Sequence, residues 1–90
     1  MAKKRALILS PLAQAGLDLI YDPVLSAIVH HLELIRAHPA MGKALTGAFA
    51  GWRGTHVAMF RIVYRVKPDA IEVAYIRHCK PKTPKTPFRE

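Results

Sequence analysis

The most constraining feature of the sequence is Phe60–Val66, in which apolar and cationic residues alternate. A strand here would carry one apolar and aromatic face, formed by Phe60, Ile62, Tyr64 and Val66. Its other face would carry mainly cations, namely Arg61, Arg65 and Lys67. This alternation is typical of a half-buried β-strand, which β-branched and aromatic residues also favour. Pro68-Asp69 interrupts the run and Ile71–Arg77 begins another, so we predict an antiparallel hairpin.

Positive charge is concentrated in the second half of the chain. The formal net charge of the 90 residues is +8. Residues 1–38 contain four Lys/Arg and three acids (net +1), whereas residues 39–90 contain ten and three (net +7). The length predicts one domain, which we place at residues 1–79. The asymmetry favours an anionic partner such as RNA, with a basic solubilising surface as the alternative.

The cysteine content and the hydropathy of the sequence indicate the cellular compartment in which the protein is expected. Cys79 is the single cysteine, so an internal disulfide is impossible and we expect a reducing cytoplasm. No apolar stretch approaches about 18 residues, so we expect no membrane span and no membrane partner. Pro11 and Gln14 interrupt the apolar run after the basic start, which we interpret as a strand rather than a signal peptide.

Two helix-start signals follow a short apolar strand at Ala6–Leu9. Ser10-Pro11 predicts an N-cap and first helical residue, with the helix reaching about Tyr21. Gly16 inside it costs about 1 kcal/mol relative to Ala. Asp22-Pro23 repeats the signal, and apolar residues at helical spacing then continue to about His38, where Pro39 ends the helix. We therefore predict a helix hairpin that packs on the sheet.

The remaining segments carry weaker signals. We expect Ala40–Gly54 to be a connection, in which Lys43-Ala44-Leu45 forms a helical turn. Trp52–Met59 should be a strand leading into Phe60–Val66, although Ala58-Met59 lacks the usual turn residues. Lys80–Glu90, with proline at every third position, predicts a basic flexible tail. The predicted fold class is α+β, with two helices on one face of an antiparallel sheet.

Three motifs, taken in order, resemble the RelE/ParE family of bacterial toxins. His38–Gly47 is similar to the family's linker after the second helix. Gly51-Trp52-Arg53, with Arg61-Ile62-Val63-Tyr64 beginning nine residues after the tryptophan, is similar to its core motif. Val73–His78 resembles its last strand. The resemblance covers about residues 6–79, implies a β-α-α-β-β-β fold, and is closest to the YoeB/RelE-like branch in the Trp-to-Arg spacing.

The resemblance also implies a function. It indicates a type II toxin that is neutralised by a cognate antitoxin protein. In the RelE and YoeB branches the target is mRNA on the ribosome, which is cleaved by metal-independent transfer to the ribose 2′-oxygen. Such a reaction needs a base, a cation on the phosphate and an acid for the leaving oxygen. The ParE branch instead inhibits DNA gyrase, and fold alone does not separate the two.

Candidate site residues follow from the matched positions. Arg61 matches the arginine that holds the scissile phosphate, and His78 lies where the family places a terminal His or Arg, so both are candidate catalytic residues. The candidate RNA-binding residues are Arg53, His56, Arg65, Arg77 and Lys80. Because Gly54 and Thr55 fill expected basic positions and the family's final tyrosine is missing, an inactive binding module is a third alternative.

Several other residues carry less specific signals. Three histidines in the second helix, His30, His31 and His38, lack the Cys or carboxylate partners of a metal set, so we expect neither a metal nor another cofactor. Trp52 fits a core or interface position, with base stacking as the alternative. We expect Tyr64 and Tyr75 to pack between the sheet and the helices.

Overall fold

The chain folds into a sheet with two helices on one face. The computed structural model describes residues 5–79; the predicted tail, with Lys80, lies outside them. The strands and helices are β1 (Ala6–Leu9), α1 (Pro11–Asp18), α2 (Val24–Ala37), β2 (Lys43–Ala44), β3 (Arg53–Val57), β4 (Phe60–Val66) and β5 (Ala70–His78). Short 3₁₀ turns occupy Pro39–Met41 and Gly47–Phe49. The α+β fold class is therefore confirmed.

The five strands are ordered β1-β5-β4-β3-β2. The predicted hairpin of β4 and β5 is present, and β3 pairs antiparallel with β4 and β2. β1 instead pairs parallel with β5, with Ala6 opposite Ala70. The predicted antiparallel sheet is therefore present in β2 to β5, and β1 extends it in parallel at one edge, because the connection from β1 through both helices returns the chain in the same direction.

Helix α1 begins at Pro11 as predicted, and α2 begins at Val24, one residue after the predicted Pro23. The Ser10 hydroxyl accepts a hydrogen bond from the Ala13 backbone N–H at 3.0 Å, as an N-cap does. The Asp22 carboxylate accepts from both the backbone N–H and the hydroxyl of Ser26, at 2.9 and 2.6 Å. These hydrogen bonds lower the pKa of Asp22 and hold the first turn of α2.

The core lies between the helices and one face of the sheet. Its fully buried members include Ile28 and Ile35 of α2 and Ile62 and Tyr64 of β4. The register between β4 and β5 shifts between Val63 and Tyr64, which are paired with Tyr75 and Val73 respectively. This bulge lets β5 direct both Val73 and Ile76 into the core although two residues, rather than one, lie between them.

Helix α1 approaches the sheet closely through Gly16. A Cβ at this position would lie only 2.2 Å from the carbonyl oxygen of Ile76. The glycine that weakens the isolated helix is therefore required by the packing of α1 against β5. The helix ends at Asp18, earlier than the predicted Tyr21, and Leu19 and Tyr21 beyond it are 79% and 81% exposed.

Two local predictions differ from the structure. Lys43-Ala44 does not form a helical turn; it pairs with Arg53 and Gly54 as the edge strand β2. β3 ends at Val57, and Ala58-Met59 makes a two-residue turn with Ala58 at φ 53°, a conformation that favours glycine. Neither helix of the described chain is long and apolar enough to cross a membrane.

Candidate functional site

Three basic side chains form a row across the sheet surface that faces away from the helices, here called the outer face. Arg61 of β4 lies opposite His56 of β3 on one side and Arg77 of β5 on the other. Directly opposite residues of antiparallel strands project to the same face. Arg61 also alternates with Ile62, which is buried in the core on the inner face. The row therefore combines two guanidinium groups and one imidazole.

Arg61 is half-buried and held over a glycine. A Cβ at Gly54 would lie 3.6 Å from both Nε and Nη2 of Arg61, and 3.3 Å from Cδ2 of Leu45. The Nε atom is buried and has no hydrogen-bond partner within residues 5–79. A guanidinium in this position suits a bound anion such as a phosphate, because it can offer two parallel N–H donors.

Arg65, farther along β4, is oriented by two neighbours. Its Nη2 and Nε donate to one oxygen of Glu72 at 2.6 and 3.1 Å. This hydrogen bonding lowers the pKa of Glu72, which stays ionised at neutral pH. The guanidinium carbon of Arg65 lies 4.5 Å from the centre of the Trp52 ring. The arginine charge is thus largely paired, while its plane covers an aromatic ring.

Tyr75 belongs to the outer face, and the prediction that it packs beneath the helices was wrong. It lies opposite Val63 in the register, and the bulge places it on the face of Arg61 rather than with Val73. The guanidinium carbon of Arg77 lies 5.0 Å from its ring centre. Phe49, in the second 3₁₀ turn, makes an edge contact with the ring at 6.1 Å.

Two predicted site residues lie on the inner face. His78 pairs with Phe60 and makes an edge contact with its ring at 5.1 Å between centroids. Arg53 pairs with the buried Tyr64 and donates to the Gly42 carbonyl at 2.7 Å. The structure therefore does not bring either side chain beside Arg61, since neighbouring positions of a strand project to opposite faces.

Tyr64 ties the linker after α2 to the sheet. Its hydroxyl donates to the Pro39 carbonyl at 2.7 Å and accepts from the Gly42 N–H at 2.9 Å. Burial raises the pKa of this phenol, so it remains protonated as the donor requires. The two hydrogen bonds fix the linker just before Lys43, which pairs with Gly54 at the edge of the outer face.

Lys43 was missed as a candidate site residue. The expectation of a helical turn concealed it, because a strand of two residues is too short to show an alternating pattern in the sequence.

Residues 5–79 contain no group of three His, Cys, Asp or Glu placed to hold a metal. His31 instead shares a hydrogen bond of 3.0 Å with the Thr55 hydroxyl.

Comparison with known proteins assigns the family. The family model described as "ParE toxin of type II toxin-antitoxin system, parDE" matches residues 7–81. The chain belongs to this toxin family. As a RelE/ParE superfamily toxin, it has the arrangement of helices and strands that its sequence indicated. Among curated proteins, none matches this toxin closely enough in sequence to be called a relative.

Solved structures of several toxins share the fold. The toxin-antitoxin complex RelBE2 from Mycobacterium tuberculosis contains a chain that superposes with a TM-score of 0.76 at 19% identity, covering 84% of this toxin and 99% of that chain. A chain of the ParDE system from P. aeruginosa superposes with a TM-score of 0.69 at 21% identity, covering 86% of this toxin and 98% of that chain. A chain of the YoeB dimer from Staphylococcus aureus superposes with a TM-score of 0.72 at 19% identity, covering 84% of this toxin and 98% of that chain. Similar scores for RelE, ParE and YoeB proteins mean that fold does not separate the branches.

Proposed function

We propose that this toxin is a metal-independent endoribonuclease that cleaves mRNA on the ribosome and thereby inhibits translation. The observation that carries the proposal is the row His56–Arg61–Arg77 on the outer face. It places an imidazole beside a guanidinium whose buried Nε has no partner within the described residues. A cation for the phosphate and a group that transfers protons near neutral pH are two of the components that the reaction needs.

The chemistry would proceed at a single phosphate held by Arg61. The ribose 2′-OH would give its proton to His56 and attack phosphorus, the bond to the 5′-oxygen would break, and that oxygen would take a proton from water. The products are a 2′,3′-cyclic phosphate and a 5′-hydroxyl. His56 is the imidazole that the register places next to Arg61, so it replaces His78 as the proposed proton-transfer residue. Arg77 and Lys43 would hold flanking phosphates.

A protein antitoxin is the expected partner. Structures with the same fold are described as RelBE2, RelE-RelB and YoeB-YefM complexes, which supports a cognate antitoxin for this chain. Leu12, Leu19 and Tyr21 expose 64%, 79% and 81% of their surface around α1. Such an apolar patch on a small domain is typical of a surface that a protein partner covers.

The test is growth after induction of the chain alone, with 5′ ends of total mRNA mapped in the same culture. We expect growth arrest with new 5′-hydroxyl ends inside translated codons. Arg61→Ala should abolish both while the protein remains folded. The matched control is Arg36→Ala, which removes the same type of side chain from α2, on the other side of the sheet, where Arg36 pairs with Glu33. An Arg61→Ala variant as toxic as the parent would refute the assignment.

Inhibition of DNA gyrase is the second candidate function. It is favoured by the match to the ParE family model and by the single imidazole in the row, because RNA cleavage requires both a base and an acid. Arrest with stalled DNA cleavage complexes and intact mRNA would establish it. Growth without arrest, with folded protein present, would instead indicate a toxin fold retained as a binding module.

A further inference from the structure

We propose that the outer face carries two base-stacking subsites, Trp52 with Arg65 and Tyr75 with Arg77, which select single-stranded RNA. This inference rests on the proposed function and names the substrate class that the same surface takes. In both subsites a guanidinium carbon lies over an aromatic ring, at 4.5 and 5.0 Å from the ring centre. Unpaired bases stack on such rings and planes, whereas bases inside a duplex cannot reach them.

In the subsite of Trp52 and Arg65, the guanidinium lies over the indole while the arginine side chain remains partly exposed. Arg65 lies over the indole, and its two hydrogen bonds to Glu72 fix the orientation of the guanidinium. The side chain of Arg65 nevertheless remains 42% exposed. A base could therefore stack on the outer side of the guanidinium. Because Glu72 already pairs the charge, this arginine is better suited to stacking than to neutralising a phosphate.

The subsite of Tyr75 and Arg77 borders a groove. Tyr75 and Arg77 line one side of a groove of about 210 Å³, and apolar residues of α1, among them Leu12, and Leu19 just after the helix, line the other. Phe49, in the connection between β2 and β3, makes an edge contact with the Tyr75 ring. The lining is apolar around the ring and cationic at the rim, which suits a planar base whose adjoining phosphate contacts Arg77.

The two subsites lie along one line with Arg61. Tyr75 is a diagonal neighbour of Arg61 across the β4–β5 pair, a separation of about 7–8 Å between Cα atoms. Arg65 is four residues along β4, or about 13 Å. Both subsites lie on the same side of Arg61, towards the end of β4, so an extended RNA strand could place one phosphate at Arg61 and bases farther along the strand on the two aromatic groups. A surface that binds polyanions in general would need only the positive charges. It would not need guanidinium groups that lie over aromatic rings.

The chain offers a direct optical test, since Trp52 is its single tryptophan. The full-length protein is titrated with a 2′-O-methyl single-stranded RNA hexamer, which cannot be cleaved by transfer to the 2′-oxygen. We expect its binding to quench the tryptophan fluorescence. Inorganic polyphosphate and an RNA duplex of the same length should bind weakly and leave the emission intact. Equal affinity for all three ligands with no quenching would overturn the proposal.

Three variants separate stacking from charge. Arg65→Lys keeps the charge and loses the plane, and Tyr75→Leu keeps apolar bulk and loses the aromatic ring. Each should weaken hexamer binding by about 5- to 100-fold. Tyr21→Leu is the matched control, because Tyr21 is 81% exposed in the connection between the helices, away from the outer face. Its affinity should be unchanged, and thermal unfolding checks that all three variants fold.

The outcomes distinguish this inference from the proposed function. Parental affinity in both Arg65→Lys and Tyr75→Leu would overturn the stacking subsites even if Arg61 proves essential for mRNA cleavage. Quenching and loss of affinity as expected, in a protein that leaves mRNA intact in cells, would support the subsites and refute the ribonuclease assignment alone.

Discussion

Replacing Tyr64 with phenylalanine tests the contact that holds the linker on the sheet. The substitution removes only a hydroxyl, which hydrogen-bonds the buried N–H of Gly42 and the partly buried carbonyl of Pro39. A buried donor left without a partner costs about 1–3 kcal/mol, and a lost hydrogen bond at a site that water reaches about 0.5–1.5 kcal/mol. We expect the free energy of unfolding to fall by about 2–3 kcal/mol.

Thermal and urea unfolding measure this effect directly. For a domain of this size, about 4–8 °C is lost per kcal/mol, so the Tm of Tyr64→Phe should decrease by roughly 10–20 °C. Tyr75→Phe is the matched control, because the Tyr75 hydroxyl makes no hydrogen bond within residues 5–79; its change should stay within about 0.5 kcal/mol. If the two variants have the same Tm and the same free energy of unfolding, the assignment of stability to the Tyr64 hydroxyl is wrong.

For two further perturbations, a substitution at Gly16 and a decrease in pH, the structure predicts the direction of the change in stability. Gly16→Ala gains about 1 kcal/mol of helix propensity but forces α1 from the Ile76 carbonyl, at a cost of about 1–3 kcal/mol, so calorimetry should show net destabilisation. Burial, assisted by the neighbouring His30, lowers the pKa of His31 below its usual 6.5. Stability is then complete above about pH 6.5 and falls as His31 is protonated at lower pH. His31→Gln, which can still bond Thr55, should lose less stability between pH 7.5 and 5; equal losses would contradict this account.

Alternation along β4 was sufficient to predict its two faces, because every second residue of a regular strand shares an environment. The prediction separated the buried Ile62 and Tyr64 from Arg61 correctly. The helix starts at Ser10 and Asp22 were also readable, since capping depends on side chains within a few residues. These signals are local, and they account for the fold class.

The candidate site depended on strand register, which the sequence does not encode locally. The β5 bulge moves Tyr75 to the face of Arg61, while normal pairing at Phe60 leaves His78 on the other face. Without the register, a histidine at the end of the last strand and an arginine on β4 look equally able to meet. The partner His56 could be identified only once β3 was aligned with β4.

The parallel pairing of β1 with β5 has a consequence for the order in which the protein can form during synthesis. β1 is made first, yet its partner residues begin at Ala70, so the sheet cannot close until nearly the whole domain has been translated. Arg77 and Tyr75, which complete the outer face, belong to the same late strand. A nascent chain therefore lacks the surface proposed to bind RNA until β5 has been synthesised.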